Sequence, residues 1–193
     1  MRKLIVCNIV SLDGFYSGAG GDVTAMPFDI GFSDYNAERL RSADTLLLGR
    51  KSYEGFRSYW PAIAEDANQP AVEREISRLN AAIEKVVVSN SLKPDEIEGW
   101  GPTRLIRRAD AHAEVATLKE SPGREILIFG SHLLWNDLLV AGLVDELHLM
   151  IGAGVVGDGV RVFEARPPGS FRLLDTRTFD GSSLLLVRYA VER

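Results

Sequence analysis

Two cations, Arg50 and Lys51, stand directly after an apolar run and Gly49 in the stretch TLLLGRKSYEGF. The pattern predicts that a helix begins there, and the partial positive charge of a helix start disfavours nearby cations by a few tenths to about 1 kcal/mol. A bound phosphate reverses that penalty, because the helix dipole, the backbone N–H groups and the side chains then act on one anion. The alternative is that both side chains extend into water. The candidate phosphate site comprises Gly49, Arg50, Lys51 and Ser52.

Two further strand ends carry groups suited to a nucleotide. In VVVSNS, small hydroxyl and amide side chains suited to a ribose or an adenine edge follow an apolar strand, although they also suit a plain turn. In ILIFGSHLL, a glycine between strand and helix lets backbone N–H groups approach a pyrophosphate, although it also suits a tight bend alone. The residues concerned are Ser89, Asn90, Ser91, Gly130 and Ser131. Sites for a lone phosphate, a nucleoside and a pyrophosphate together favour NADPH, with its 2′-phosphate at Arg50 and Lys51.

The elements that must position these residues alternate between strands and helices. Strands are predicted over 3–10, 45–48, 85–89, 103–107, 125–129 and 145–151. Helices are predicted over 34–42, 51–58, 70–82, 111 to about 120, and 133–141. Ser33 is the predicted cap of the first of these helices, and Asp110 is the predicted cap of the fourth. The segment 17–31 is predicted to be a long loop, and 171–179 and 183–191 a closing hairpin.

This order predicts a single α/β domain over 1–193, with a mostly parallel central sheet flanked by helices and a C-terminal antiparallel hairpin. In such a sheet, ligands bind beyond the carboxyl ends of the strands. The three candidate segments all follow predicted strands, so we expect them to meet at one edge.

The composition excludes several function classes. A net charge of −5 argues against non-specific nucleic-acid binding, and no apolar stretch is long enough to span a membrane. The single cysteine, Cys7, cannot form an internal disulfide, so we expect a reducing compartment and a cytoplasmic protein. Because it lies in an apolar strand, we interpret Cys7 as an inert buried thiol. The three histidines lack the spacing of metal ligands, and no metal site is predicted.

The segments GRKSYE, VVVSNS and IFGSHLL resemble, in order and spacing, the three cofactor segments of dihydrofolate reductases. The opening strand followed by SLDG, together with GLVDELHL and GDGVRVF, resembles more closely the reductase domain of bacterial bifunctional deaminase–reductases of riboflavin synthesis and its stand-alone relatives. The resemblance covers nearly the whole chain and implies a dihydrofolate-reductase-like fold, NADPH as cofactor and a homodimer. It implies that the 2′-phosphate meets residues 49–52, that the adenosine lies along 89–91, and that the pyrophosphate lies along Gly130, Ser131, His132, Leu133 and Leu134.

The chain departs from the riboflavin-pathway pattern in its substrate region. Cys7 stands where that family usually has a lysine, and Phe129 stands where it usually has a glutamate. Ser131 replaces the second glycine of the Gly-Gly pair that follows this glutamate, and Ala153 replaces a proline. Losing a cation and a carboxylate removes groups able to hold a phosphorylated substrate, which argues against the riboflavin intermediate. Folate reduction requires a carboxylate on the first helix, which Asp34 matches only with a shift of one residue.

Two carboxylates, Asp13 in the SLDG turn and Asp34 at the first helix start, are candidates for supplying a proton or orienting the substrate. Alternatively, Asp13 is a turn aspartate that bonds its own backbone, and Asp34 is an acid that the helix dipole favours at a helix start. The aromatic residues that either wall a planar substrate or pack in the core are Phe15, Phe28, Phe32, Tyr35, Tyr53 and Trp60.

We therefore expect an NADPH-dependent oxidoreductase that transfers a hydride to a small planar heterocyclic or carbonyl substrate. The alternative is a non-catalytic dimeric protein that binds a nucleotide or another small ligand on the same fold.

Overall fold

The structure is a computed structural model that describes residues 1–192. The strands are β1 Leu4–Val10, β2 Phe15–Gly18, β3 Ala43–Gly49, β4 Glu84–Val88, β5 Thr103–Ile106, β6 Glu125–Phe129, β7 Glu146–Ile151, β8 Gly159–Arg161, β9 Ser170–Thr178 and β10 Leu185–Glu192. The helices are α1 Ile30–Ser42, α2 Arg50–Ile63, α3 Ala71–Ala82, α4 Ala111–Glu120 and α5 His132–Val140.

An eight-stranded sheet in the order β5-β4-β3-β6-β1-β7-β10-β9 forms the centre of the molecule. The strands from β5 to β7 in that order pair in parallel, and β10 and β9 add antiparallel edge strands. The expected α/β architecture, with a parallel sheet and a C-terminal hairpin, is thus confirmed.

Helices cover the sheet on both faces, as the continuous apolar run of β1 indicates. Ile5 and Cys7 point toward a core cluster shared with α1, α2 and α3. Leu4 and Val6 point to the opposite cluster, which includes side chains of α4 and α5. Successive residues of a strand face opposite sides, so a strand buried on both sides carries no polar alternation.

The first helix begins earlier than predicted. It starts at Ile30 rather than Asp34, and its cap is Asp29 rather than Ser33, because the Asp29 carboxylate accepts the Gly31 N–H at 3.0 Å. The Ser33 hydroxyl instead donates to the carboxylate of Glu73 on α3.

Three other expectations need correction. The predicted loop 17–31 overlaps the end of β2, which pairs with β8 in a separate two-stranded sheet. Asp110 precedes α4, yet its side chain makes no capping hydrogen bond. Helix α2 continues past Ser58 to Ile63, with Pro61 in its last turn.

A buried lysine stabilises the end of the sheet opposite the candidate site. Lys85, with 0% of its surface exposed, donates to the carbonyl oxygens of Asn80 at 2.7 Å and Ile83 at 2.8 Å, at the C-terminus of α3. Its ammonium also lies 4.7 Å from the ring centroid of Trp100. A cation at this position satisfies terminal carbonyl groups and interacts favourably with the helix dipole.

We predict that Lys85→Met lowers the free energy of unfolding by about 2 kcal/mol, because it leaves the two buried carbonyl acceptors without a charged donor. Urea unfolding followed by circular dichroism measures this change. Lys93→Met, at an exposed position, is the control, and an equal effect of both substitutions contradicts the assigned role.

Candidate functional site

The three candidate segments follow β3, β4 and β6, which lie side by side in the sheet. Helix α2 leaves β3 toward one face, and α5 leaves β6 toward the other. Adjacent strands whose connections leave in opposite directions open a crevice at their carboxyl ends, where ligands bind in open α/β sheets. We call this region, bounded by Asn8, Gly49, Ser52, Gly130 and Ser131, the strand-end crevice.

A set of hydrogen bonds ties the starts of α2 and α5 together. The Ser131 N–H donates to Ser52 Oγ at 2.8 Å, and the Gly49 N–H donates to Ser131 Oγ at 3.0 Å. We call this reciprocal pair of hydrogen bonds the serine clasp. The Gly130 N–H donates to Asn8 Oδ1 at 2.8 Å, which joins the same turn to β1.

The turn held by the clasp has an unusual backbone. Gly130 has φ 62° and Ser131 φ 54°, and Ser131 is the one non-glycine residue with positive φ among residues 1–192. A Cβ at Gly130 would lie 3.0 Å from Ser52 Oγ, so that position requires glycine. The left-handed conformation of a serine costs on the order of 1 kcal/mol and persists because surrounding contacts impose it.

The cations at the start of α2 differ in their contacts. Arg50 donates to Glu54 at 2.8 Å and to the Ser91 hydroxyl at 2.7 Å, which links two of the candidate segments. Lys51 is exposed and contacts no carboxylate among residues 1–192. A Cβ at Gly49 would meet Ser131 at 3.9 Å, which is ordinary van der Waals contact, so the helix start lies close to the turn after β6.

In the second segment, side-chain oxygens already make local contacts. Ser89 Oγ accepts the N–H groups of Ser91 and Leu92 at 3.2 and 3.1 Å, and Asn90 Oδ1 accepts the Arg108 N–H at 2.9 Å. These contacts are those of a turn, the alternative considered from the sequence. A role of this segment along an adenosine stays a prediction.

The His132 and Leu133 side chains of the third segment are not suited to bind an anion. His132 is buried, its Nε2 lies 2.8 Å from the carbonyl oxygen of Arg161, and its ring stacks on Tyr16 at 4.7 Å. Leu133 is 62% exposed. Anion binding by 132–134 therefore falls to the backbone N–H groups of His132 and Leu133, since the Leu134 N–H already donates to the Ser131 carbonyl oxygen at 2.9 Å.

The two candidate carboxylates, Asp13 and Asp34, lie in different surroundings, and their roles in supplying a proton or orienting the substrate stay predictions. Asp13 accepts hydrogen bonds from Ser11 Oγ at 2.6 Å and from the N–H groups of Val156 and Gly157. These bonds, that from Ser11 foremost, lower the pKa of Asp13 to about 2, so the group is ionised at neutral pH and anchors the glycine-rich connection after β7. Asp34 is exposed on α1, whose buried face carries other residues.

A buried polar chain that sequence reasoning missed runs beside the crevice. Tyr35 Oη lies 2.9 Å from His148 Nδ1, and His148 Nε2 lies 2.8 Å from Glu146 Oε2. Glu146 also contacts the Lys3 ammonium at 2.6 Å and the Arg188 guanidinium at 3.3 Å. The hydrogen bond from His148, followed by that from Lys3, lowers the pKa of Glu146, whereas burial lowers the pKa of His148. The spacing of Glu146 and His148 places both on one face of a strand, a signal present in the sequence.

A second missed residue, Asn36, lies over the floor of the crevice. Its Oδ1 is 3.9 Å from Cys7 Sγ, and Cys7 pairs in register with Phe129. Burial raises the pKa of the Cys7 thiol to about 12, so the thiol is neutral. The sequence analysis named aromatic residues that either wall a substrate or pack in the core. Among them, Phe32 and Trp60 are half-buried against the core cluster that contains Cys7, while Tyr35 and Tyr53 belong to that core.

Two further findings concern the described part of the chain as a whole. None of the helices within residues 1–192 combines the length and apolarity needed to cross a membrane. In the same range, no three His, Cys, Asp or Glu side chains are grouped so as to hold a metal ion.

Comparison with known proteins agrees with this architecture. Residues 2–185 match the family model of the RibD C-terminal domain. The uncharacterized protein YyaP of Bacillus subtilis is 32% identical over 189 residues, which cover 96% of this chain and 94% of YyaP.

Solved structures share the fold at lower identity. A diaminohydroxyphosphoribosylaminopyrimidine deaminase/5-amino-6-(5-phosphoribosylamino)uracil reductase of Thermotoga maritima superimposes with a TM-score of 0.69 at 12% identity, over 98% of this chain and 56% of that one. A dihydrofolate reductase of Enterococcus faecalis, complexed with NADP(H), gives a TM-score of 0.61 at 14% identity, over 99% of this chain and 97% of that one. The dihydrofolate-reductase-like fold is thereby confirmed.

We predict that Cys7 does not react with an aromatic disulfide reagent in the native protein, because its thiol is 1% exposed and stays protonated at neutral pH. The released chromophore is measured by absorbance. The same protein in concentrated urea is the control and releases one equivalent. Rapid labelling of the native protein contradicts the buried position.

We predict that Glu146→Gln lowers the free energy of unfolding by roughly 3 kcal/mol near neutral pH, because it removes the charge that pairs with Lys3 and Arg188. A carboxyl group whose pKa is lowered on folding stabilises the native protein at pH values above the pKa of the same group in the unfolded chain. This stabilisation is lost as the pH falls below about 4.5. The difference between wild type and variant therefore narrows in acid.

Urea unfolding at a series of pH values measures this difference. Glu192→Gln, which breaks an exposed ion pair with Arg172, is the control and should change the free energy by less than about 1 kcal/mol. If the effect of Glu146→Gln on the free energy of unfolding does not change with pH, then Glu146 does not carry the stabilising charge assigned to it.

Proposed function

The chain belongs to the RibD C-terminal domain family, and from this premise we propose that it is an NADPH-dependent reductase of a small, planar heterocyclic or carbonyl substrate. The observation that carries the proposal is the serine clasp, which holds the starts of α2 and α5 together beside Arg50 and Lys51. Two helix starts and two cations at one strand edge form a site for a multiply charged anion.

The residues at this edge fit the cofactor. The start of α2 offers backbone N–H groups to a phosphate, and the exposed Lys51 has no competing carboxylate among residues 1–192. Arg50, already within reach of Ser91, is placed to bind the 2′-phosphate that distinguishes NADPH from NADH. The pyrophosphate would lie along residues 130–134, where the backbone N–H groups of His132 and Leu133 are the available donors, and the adenosine would lie along residues 89–91.

In this proposal the bound cofactor supplies the hydride. The protein binds and orients the two reactants and keeps water from the reacting carbon. Because Asp13 is held ionised and Asp34 is exposed, the proton that completes the reduction is drawn from solvent.

The assembly and location follow as further proposals. We propose a homodimer in a reducing compartment. The edge strand β9 supports the dimer, since it pairs on one side only and exposes 52% of Leu173 and 37% of Leu174.

Titration with NADPH, followed by nucleotide or tryptophan fluorescence, tests the proposed function. Absence of binding at high micromolar NADPH contradicts it. Binding without hydride transfer to any compound in a carbonyl panel favours the alternative of a non-catalytic nucleotide-binding protein.

We predict that Arg50→Ala weakens NADPH binding about tenfold to a hundredfold, because a charge-assisted bond to the 2′-phosphate is lost. NADH, which lacks that phosphate, should bind both proteins equally. Arg78→Ala on α3, whose side chain is exposed, is the matched control. Equal weakening of NADPH and NADH would show that Arg50 does not contact the 2′-phosphate.

A further inference from the structure

The crevice has an uncharged floor. Cys7 and Phe129 form the last matched pair of β1 and β6, after which β6 turns into α5 while β1 continues to Val10 beside β7. Both floor side chains are buried, one an aromatic ring and the other a neutral thiol. Two charged groups, Arg39 and Glu38, act on the pKa of the Cys7 thiol in opposite directions, and they lie 3.5 Å apart.

One polar group, the Asn36 carboxamide, lies against this floor. Its oxygen faces Cys7 Sγ at 3.9 Å, and its Nδ2 has no hydrogen-bond acceptor among residues 1–192. Asn36 as a residue is 8% exposed, yet its Nδ2 is not one of the buried atoms that lack a partner, so this donor is accessible and open to a ligand acceptor.

The walls are aromatic. Phe32 lies one turn before Asn36 on the same side of α1, and Phe56 and Trp60 project from α2 onto the same core cluster. These half-buried rings offer flat apolar surfaces to a flat ligand.

Resting on the reductase function proposed above, we propose that Asn36 recognises the substrate, and that the substrate is an uncharged planar compound with a carbonyl acceptor. In the reduction, the carbonyl carbon gains the hydride with its electron pair, and the π electron pair moves onto the oxygen. Asn36 Nδ2 donates a hydrogen bond to that oxygen as it gains charge, and a solvent proton converts it into the hydroxyl, while NADPH becomes NADP⁺.

A matched pair of probes tests the substrate class. Isatin is flat, uncharged and carries a reactive ketone, and its ring-sulfonated derivative adds one negative charge. Equilibrium dialysis measures the binding of each probe to the protein with and without NADPH, and the loss of NADPH fluorescence measures turnover. We expect isatin to bind and to be reduced with a kcat/KM at least about tenfold above that of the sulfonated probe.

Two substitutions test the role of Asn36. Asn36→Leu removes the amide, and Asn36→Asp keeps the shape but replaces the donor by a carboxylate. Each should lower kcat/KM for isatin and weaken its binding by about tenfold or more, with NADPH affinity unchanged. The control is Asn80→Leu, the same change at a buried asparagine on α3 at the other end of the sheet, which should leave isatin binding unchanged.

The outcomes separate the two proposals. Wild-type protein that does not bind NADPH contradicts the reductase function, while isatin binding to the cofactor-free protein still reports on Asn36. If NADPH binds, three results would each overturn this inference. They are that isatin does not bind, that the sulfonated probe is reduced as well as isatin, or that folded Asn36 variants show unchanged kinetics.

Discussion

The serine clasp is the interaction on which the geometry of the site depends. It fixes the starts of two helices that leave adjacent strands toward opposite faces of the sheet. A turn with two successive residues at positive φ is otherwise unfavourable, and it is held because Ser52 and Asn8 accept its N–H groups while the Gly49 N–H donates to Ser131 Oγ. The local strain and the convergence of the helix starts therefore have one physical origin.

The sheet, in turn, explains why chemically different segments meet. Residues 49–52, 89–91 and 130–134 are far apart in the chain, yet neighbouring parallel strands bring their carboxyl ends to one edge. The core on both faces supports this edge. The residues proposed to bind the cofactor therefore lie in turns and helix starts, while the apolar strands set only their positions.

Local patterns predicted most of the fold, because parallel strands and amphipathic helices are recorded in contiguous residues. The β2–β8 pair escaped prediction since its partners are distant in sequence and each strand is short. The start of α1 was misplaced because its cap, Asp29, follows a segment rich in glycine and proline. That error also drew attention to exposed Asp34 rather than to Asn36, the residue proposed to recognise the substrate, on the buried side of the same helix. Likewise, the carboxylate of Asp13 was recognised, but only the folded chain shows which backbone groups hold it ionised.

The position of β1 has a consequence for the synthesis of the protein. The ribosome makes this apolar strand well before its partners in the sheet, which are residues 126–129 and 146–151. Until most of the chain has emerged, LIVCNIV has no strand to pair with and stays available for chaperones or for wrong pairing. The centre of the sheet is therefore completed late, and a nascent chain stalled before β6 exposes the strand that the finished molecule buries most deeply.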